Sequence, residues 1–200
     1  MMRRAVIAAV AAGLILLTTS TMVSAQSLGV RGGINLSTIK STPPEALGLD
    51  ASAEVGVTAG GFLGVHDAAR LSFEVGGQLS VRRVAFGSDI IDTITYAEVP
   101  AVARYAFVRG EGMTVRALGG ASMGFRLTAS ETVAGQSSSA TDSYKPFDVA
   151  VVIGAQAEWH QRWLFEGRYL YGLSEPYEVT TGGLESKQQG FQILVGYRFR

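Results

Sequence analysis

The sequence contains no cysteine and only two histidines among its 200 residues. The lack of cysteine excludes a disulfide scaffold and any cysteine-based metal site. Basic and acidic residues are equal in number, at 17 each, so the chain lacks the positive excess that is typical of nucleic-acid-binding proteins. Beyond residue 25 there is no run of about 18 apolar residues, which excludes a transmembrane helix in that part of the chain.

The first 25 residues have the layout of a signal peptide. Arg3 and Arg4 precede an uninterrupted apolar segment, residues 5–17, and small residues follow at the positions that signal peptidase reads. The alternative is an N-terminal membrane anchor, but this apolar segment is too short to span a bilayer comfortably. We therefore predict cleavage between Ala25 and Gln26.

The predicted mature domain, residues 26–200, is a single domain. Loss of the signal peptide, residues 1–25, removes two of the 17 basic residues and none of the 17 acids, so its net charge is −2. Its dominant pattern is alternation of apolar and polar residues with period two. Near the end of the chain, for example, Phe191 and Val195 share one face and Gln192 lies on the other. This pattern predicts β-strands rather than helices.

Eight strands are predicted from such runs. Their ranges are 27–37, 55–65, 71–84, 94–107, 113–127, 147–158, 163–173 and 190–199. Most exceed the roughly 9–11 residues that a tilted membrane-spanning strand needs, and an even number is typical of outer-membrane barrels. The length of the runs therefore favours strands that cross a membrane.

The connections between these strands alternate in length. Long loops are expected at 38–54, 85–93, 128–146 and 174–189, and short turns at 66–70, 108–112 and 159–162. Outer-membrane barrels have this arrangement, with the turns in the periplasm. The predicted fold is a single all-β, eight-stranded, antiparallel, up-and-down transmembrane β-barrel. A lipocalin-like soluble barrel is the structural alternative.

The charged residues of the strands fall on one face. They are Arg31, Glu74, Arg82, Glu98, Arg104, Arg116, Arg126, Asp148, Glu158, Glu166, Arg168 and Arg198. The opposite face is apolar, and its aromatic residues cluster near the strand ends as two interfacial girdles would. We therefore expect the charged face to line the lumen. Because unpaired buried charges are costly, they should form a salt-bridge network. The network either closes the lumen or forms part of a gated ion path.

Several segments resemble the small porin-like outer-membrane β-barrel family of Gram-negative bacteria. Residues 29–37, GVRGGINLS, resemble its first strand, and residues 96–105, YAEVPAVARY, resemble its Y-x-E-x-P segment. Residues 167–173 and 196–199 are similar to its closing strands. The resemblance implies an integral protein of the outer membrane. Its partners would be outer-membrane lipids and the barrel-insertion machinery, which usually reads a terminal aromatic residue; here Phe199 is penultimate.

One sequence motif that also occurs in enzyme active sites lies inside a predicted strand. Residues 120–124 match G-x-S-x-G, but a nucleophile elbow needs a sharp strand-to-helix turn. The only histidines, His66 and His160, fall in predicted turns far from Ser122. No base is then within reach of the serine. We predict no catalytic residues, no metal site and no cofactor.

The predicted loops are acidic. They contain Glu45, Asp50, Glu54, Asp89, Asp92, Glu131, Asp142, Glu175, Glu178 and Glu185 against three lysines, which gives −7. This is either an ordinary solvated surface or a rim that gathers divalent cations or a basic partner. The function expected from the sequence is that of a structural or surface-interaction barrel with a lumen filled by side chains. The alternative is a low-conductance porin-like channel for ions or small solutes.

Overall fold

The computed structural model of the protein describes residues 26–42, 51–66, 69–87, 90–141, 144–175 and 185–199. The predicted signal peptide, residues 1–25, lies outside the described residues, so its cleavage stays a prediction.

The described chain is built of nine β-strands. They are β1 (Gln26–Thr42), β2 (Ala51–Val65), β3 (Leu71–Phe86), β4 (Ile90–Gly110), β5 (Met113–Val133), β6 (Gln136–Ser139), β7 (Phe147–Trp159), β8 (Trp163–Gly172) and β9 (Glu185–Phe199). Eight of them are long, and β6 is a short strand that pairs only with the end of β5. No helix in the described ranges is both long and apolar enough to cross a membrane.

The eight long strands close into a barrel in which every neighbouring pair is antiparallel. Strands β1 to β5 pair in chain order, β5 pairs with β7, and β7, β8 and β9 follow in order. Strand β9 then pairs with β1 over fifteen positions, from Leu28↔Phe199 to Thr42↔Glu185, and this closes the ring. Closure gives each of the eight long strands a partner on both sides. The predicted eight-stranded antiparallel barrel is confirmed.

Side chains alternate between the two faces of the barrel, as the pleat of a strand requires. From Leu71 to Ser80 of β3, each exposed residue is followed by a buried one. The exposed positions of the barrel are largely apolar, and Val195 of β9 is 44% exposed whereas Arg198 is 8% exposed. The apolar side chains therefore cover the outside, and most of the charged ones fill the inside.

The short turns lie at one end of the barrel, here called the turn end, and the long connections lie at the other, the loop end. The strands extend further toward the loop end than the sequence pattern predicts. Strand β1 runs to Thr42 rather than 37, and β4 begins at Ile90 rather than 94. The predicted loop 128–146 contains the last residues of β5 and all of β6. The apolar and polar alternation fades there because Thr and Ser replace apolar residues on the outside, while strand pairing continues.

A tight turn explains the β5–β6 hairpin. Ala134 and Gly135 both have positive φ, 47° and 82°, which is the backbone of a two-residue type I′ turn. Glycine adopts this conformation at no steric cost, so Gly135 favours the turn. The hairpin extends the sheet at the loop end rather than leaving the whole segment as loop.

Candidate functional site

The interior of the barrel holds a network of charged side chains. Of the twelve charged residues expected in the lumen, eleven are buried, and Arg126 is half-buried near the loop end. Each of the five lumen carboxylates forms an ion pair with at least one arginine. These pairs lie in three layers, which we call the lower, middle and upper tiers, counted from the turn end.

The middle tier is centred on Glu74. Its carboxylate accepts hydrogen bonds from Arg31, from Arg104 Nη1 at 3.0 Å and from Arg168 Nη2 at 3.1 Å. Glu166 accepts a bond from Arg168 Nε and lies 3.7 Å from Arg31 Nη1. Three guanidinium groups therefore share two carboxylates, and every member is 5% exposed or less.

Glycine makes room for this tier. A Cβ atom at Gly76 would lie 2.6 Å from Arg31 Nη2, closer than real Cβ contacts come. The ring of Phe62 also packs against the same guanidinium, with Arg31 Cζ 5.3 Å from the ring centroid. Phe62 was not predicted from the sequence. Its position could have indicated it, because it is four residues from Thr58 in β2 and so points to the same side of the strand, into the barrel.

The lower tier joins three strands near the turn end. Glu158 of β7 pairs with Arg116 of β5 and, at 2.9 Å, with Arg198 of β9. All three side chains are buried. The tier therefore has two guanidinium groups for one carboxylate and a net charge of +1.

The upper tier is centred on Arg82. This guanidinium donates to Glu98 at 2.5 Å, to Asp148 at 3.2 Å and to the side-chain oxygen of Gln188 at 2.7 Å. The same Arg82 lies over the ring of Tyr96, with its Cζ 4.7 Å from the centroid. Two carboxylates here share one guanidinium, so this tier carries −1.

An apolar layer separates the upper tier from the middle tier. Val102, Ala150, Val152 and Leu170 form one buried cluster. Val102 lies between Glu98 and Arg104 along β4, and Ala150 follows Asp148 on β7. The apolar side chains therefore lie between the two tiers along the barrel axis. No charged side chain of the described residues belongs to the cluster.

A recess opens above this apolar layer. It has about 250 Å³ of unfilled space, part of it open to solvent, and Asn35, Arg82, Gln188 and Gln192 line it. Gln188 Nε2 and Gln192 Oε1 are buried and have no hydrogen-bond partner among the described residues. Ala150 and Leu170 of the apolar layer lie at the wall of the recess. The recess thus contacts the apolar layer.

The loop end holds one feature that the sequence analysis placed wrongly. Asp92 was expected on the loop surface, but it lies in β4 and is 6% exposed. The hydroxyl of Tyr144 donates to its carboxylate, and Arg126 donates to the carbonyl oxygens of Tyr144 and Thr141. Burial raises the pKa of Asp92, and the nearby Glu131 raises it further, while the Tyr144 hydrogen bond opposes the rise.

The other loop acids are only partly described. Glu45, Asp50, Asp89, Asp142 and Glu178 lie outside the described residues, and Glu185 is described only by its backbone. Glu54 and Glu131 lie in strands, and Glu175 pairs with Lys145 at 3.3 Å. An acidic loop surface therefore stays a prediction.

The G-x-S-x-G segment lies in the middle of β5, with Ser122 opposite Ala150 of β7 and Pro100 of β4. Its hydroxyl is buried and has no described hydrogen-bond partner. Both histidines lie in turns at the turn end and have positive φ. Within the described ranges no three His, Cys, Asp or Glu side chains come together as a metal site.

Comparison with known proteins identifies the type of barrel. The family model named "Outer membrane protein beta-barrel domain" matches residues 24–177. The structure is similar to Ail, the attachment invasion locus protein of Yersinia pestis, with a TM-score of 0.53, 19% identity, and coverage of 88% of this chain and 100% of that one. It is also similar to Neisserial surface protein A, with a TM-score of 0.52, 14% identity, and coverage of 88% and 100%. The comparison with curated proteins found no match.

Proposed function

The chain belongs to the family of outer membrane β-barrel domains, and from this membership we propose that it is a structural and surface-interaction barrel whose lumen is closed by its own side chains. The protein is integral to the outer membrane of a Gram-negative bacterium. Its exposed apolar face and its aromatic residues near the strand ends suit contact with lipid.

One observation carries the proposal of a closed lumen. The three tiers of paired charges and the apolar layer occupy successive heights of the interior. Eight strands enclose a space only wide enough for side chains to fill. A hydrated ion that entered from the loop end would first have to displace Arg82 from its partners and then pass the apolar side chains of Val102, Val152 and Leu170.

A low-conductance channel is the second candidate, and the recess beside Gln188 and Gln192 favours it. Buried amide groups without partners are expensive unless water reaches them. The upper half of the lumen is therefore the part best suited to hold water. This candidate needs the apolar layer below the recess to open.

Single-channel recording in planar bilayers separates the two functions. We expect no regular conductance steps from the parent protein in molar potassium chloride. Val152→Gly removes an inward side chain from the apolar layer and should introduce small steps. Val151→Gly changes the neighbouring, outward-facing residue of β7 and is the matched control, which should stay silent. Regular steps in the parent protein would contradict a closed lumen and support the channel.

The proposal includes no enzymatic role, since the hydroxyl of Ser122 has no hydrogen-bond partner among the described residues and both histidines lie at the turn end. It does include an interaction surface at the loop end. The predicted acidic loops would bind divalent cations or a basic partner at this surface. Calorimetric titration of the reconstituted barrel with calcium would test this, and the absence of heat at millimolar calcium would refute the divalent-ion version.

A further inference from the structure

The turn end of the barrel carries a band of basic side chains, which we call the basic rim. It consists of Arg70, Arg109 and Arg162, and all three are exposed. The sequence of the three turns contains two acids, Glu111 and Asp67, and Asp67 lies outside the described residues. The turns therefore have a net charge of +1, without any contribution from the two histidines.

Hydrogen bonds between turns make the rim one continuous surface. Arg109 Nη2 donates to the carbonyl oxygen of Ala69 at 2.6 Å, beside Arg70. The backbone amide of His160 donates to the carbonyl oxygen of Gly112 at 2.7 Å. The first turn is thereby joined to the end of β4, and the second turn is joined to the third.

The third turn places Arg162 against aromatic rings. His160 and Gln161 have φ of 49° and 62°, and the amide of Arg162 donates to the carbonyl oxygen of Trp159 at 3.2 Å, so the turn is of type I′. Arg162 Nη1 then donates to the hydroxyl of Tyr197 at 3.1 Å. The guanidinium is held at the polar edge of the aromatic girdle.

The girdle defines the depth of the rim in the membrane. The ring of Tyr197 lies 5.2 Å from that of Trp163 and 5.6 Å from that of Phe199, and Trp159 is 51% exposed. Tryptophan and tyrosine settle at the level of the lipid headgroups. The groups that meet Arg162 at this depth are therefore phosphates, to which guanidinium groups bind with charge-assisted hydrogen bonds.

We propose that the basic rim binds the headgroups of anionic phospholipids in the periplasmic leaflet. The aromatic girdle and the three exposed arginines support this binding, which does not depend on whether the lumen conducts. A basic residue at an anionic membrane surface contributes about 1 kcal/mol, which corresponds to roughly a fivefold preference. Glu111 opposes the preference, and salt should weaken it because the groups are exposed.

The chain has an intrinsic probe for this binding. Its only two tryptophans are Trp159 and Trp163, and both lie in the girdle beside the rim. The protein would be reconstituted into phosphatidylcholine vesicles that contain either brominated phosphatidylglycerol or brominated phosphatidylcholine as the quencher. We expect the anionic lipid to quench tryptophan fluorescence about two- to fivefold more effectively, and 0.5 M salt to reduce that ratio.

Three variants locate the preference. Substitution of Arg70, Arg109 and Arg162 together by Gln should bring the quenching ratio to about one. Glu111→Gln removes a charge of the opposite sign at the same rim and should raise the ratio. Lys187→Gln removes a cation at the loop end, beside Tyr171, and should leave it unchanged.

Three results would each overturn the proposal. They are equal quenching of the parent protein by both lipids, a preference that survives in the triple variant, and an unchanged ratio in Glu111→Gln. If the triple variant does not fold, the parent and Glu111→Gln still decide, because Glu111→Gln with an unchanged ratio also contradicts the proposal. None of these outcomes depends on conductance, so the closed lumen is tested separately.

Discussion

Replacement of Glu74 by Gln is the most direct test of the charged lumen. The carboxylate is 1% exposed and contacts Arg31, Arg104 and Arg168. Gln has nearly the same volume, so the change leaves no cavity, but it removes the charge and replaces one of the two acceptor oxygens with an N–H donor. Removing one partner of a buried ion pair costs about 3–5 kcal/mol, because the remaining charge is left uncompensated. Glu166 still pairs with Arg168, so we expect a loss of about 4 kcal/mol in the free energy of unfolding.

A double variant separates charge from packing. Glu74→Gln combined with Arg104→Gln restores the net charge of the middle tier and should be more stable than Glu74→Gln alone by about 1–3 kcal/mol. Glu111→Gln is the same chemical change at the exposed rim and should stay within about 0.5 kcal/mol of the parent protein. Urea titration in lipid vesicles, followed by tryptophan fluorescence, measures all three. A neutral Glu74→Gln would mean that water solvates these charges, and the closed lumen would then lose its main support.

Three further predictions concern a lipid-facing residue, a buried carboxylate and the signal peptide. Val195→Arg should destabilise the barrel by about 2–4 kcal/mol in urea titrations, because a cation then meets lipid near mid-strand. Val195→Ala is the control, and a neutral Val195→Arg would contradict a lipid-facing exterior. The pKa of Asp92 is raised in the folded state, so the folded protein binds this proton more tightly than the unfolded chain does. The stability of the loop-end hairpin should therefore fall as the pH rises from the ordinary pKa of 3.8 to the raised pKa. The protection factors of residues 130–140 in hydrogen exchange, which are corrected for the intrinsic exchange rate, measure this fall. A fall in protection that persists in Asp92→Asn would refute the prediction. N-terminal sequencing of the outer-membrane fraction should begin at Gln26, and an intact Met1 would refute the predicted cleavage.

The strands could be predicted because lipid imposes a strict pattern on the outside of the barrel. Every second residue of a membrane-spanning strand meets lipid and must therefore be apolar. Residues such as Phe191 and Val195 accordingly alternate with residues that face the lumen. The pattern fails beyond the membrane. There water tolerates either kind of residue on the outside, so the extensions of β1 and β4 and the strand β6 were not predicted. Asp92 was assigned to a loop for the same reason.

The inward position of the lumen charges also follows from the alternation, but their partners do not. Arg168 and Glu74 are 94 residues apart in the chain, and Arg82 and Gln188 are 106 apart. Which side chains share a height depends on the register of each strand against the next and on the tilt of the strands around the barrel. Period-two alternation carries no information about either quantity.

The sequence by itself therefore determined the eight long strands, their antiparallel order, the apolar outer face and the inward position of eleven of the twelve predicted lumen charges. These properties depend on local alternation and on the lengths of the connections. Only the tertiary structure decided that Glu74 joins three arginines, that an apolar layer around Leu170 separates two tiers, and that Arg162 lies against Tyr197. Such contacts depend on where the closed ring of strands places residues that are distant in the chain, and closure is a property of the whole barrel.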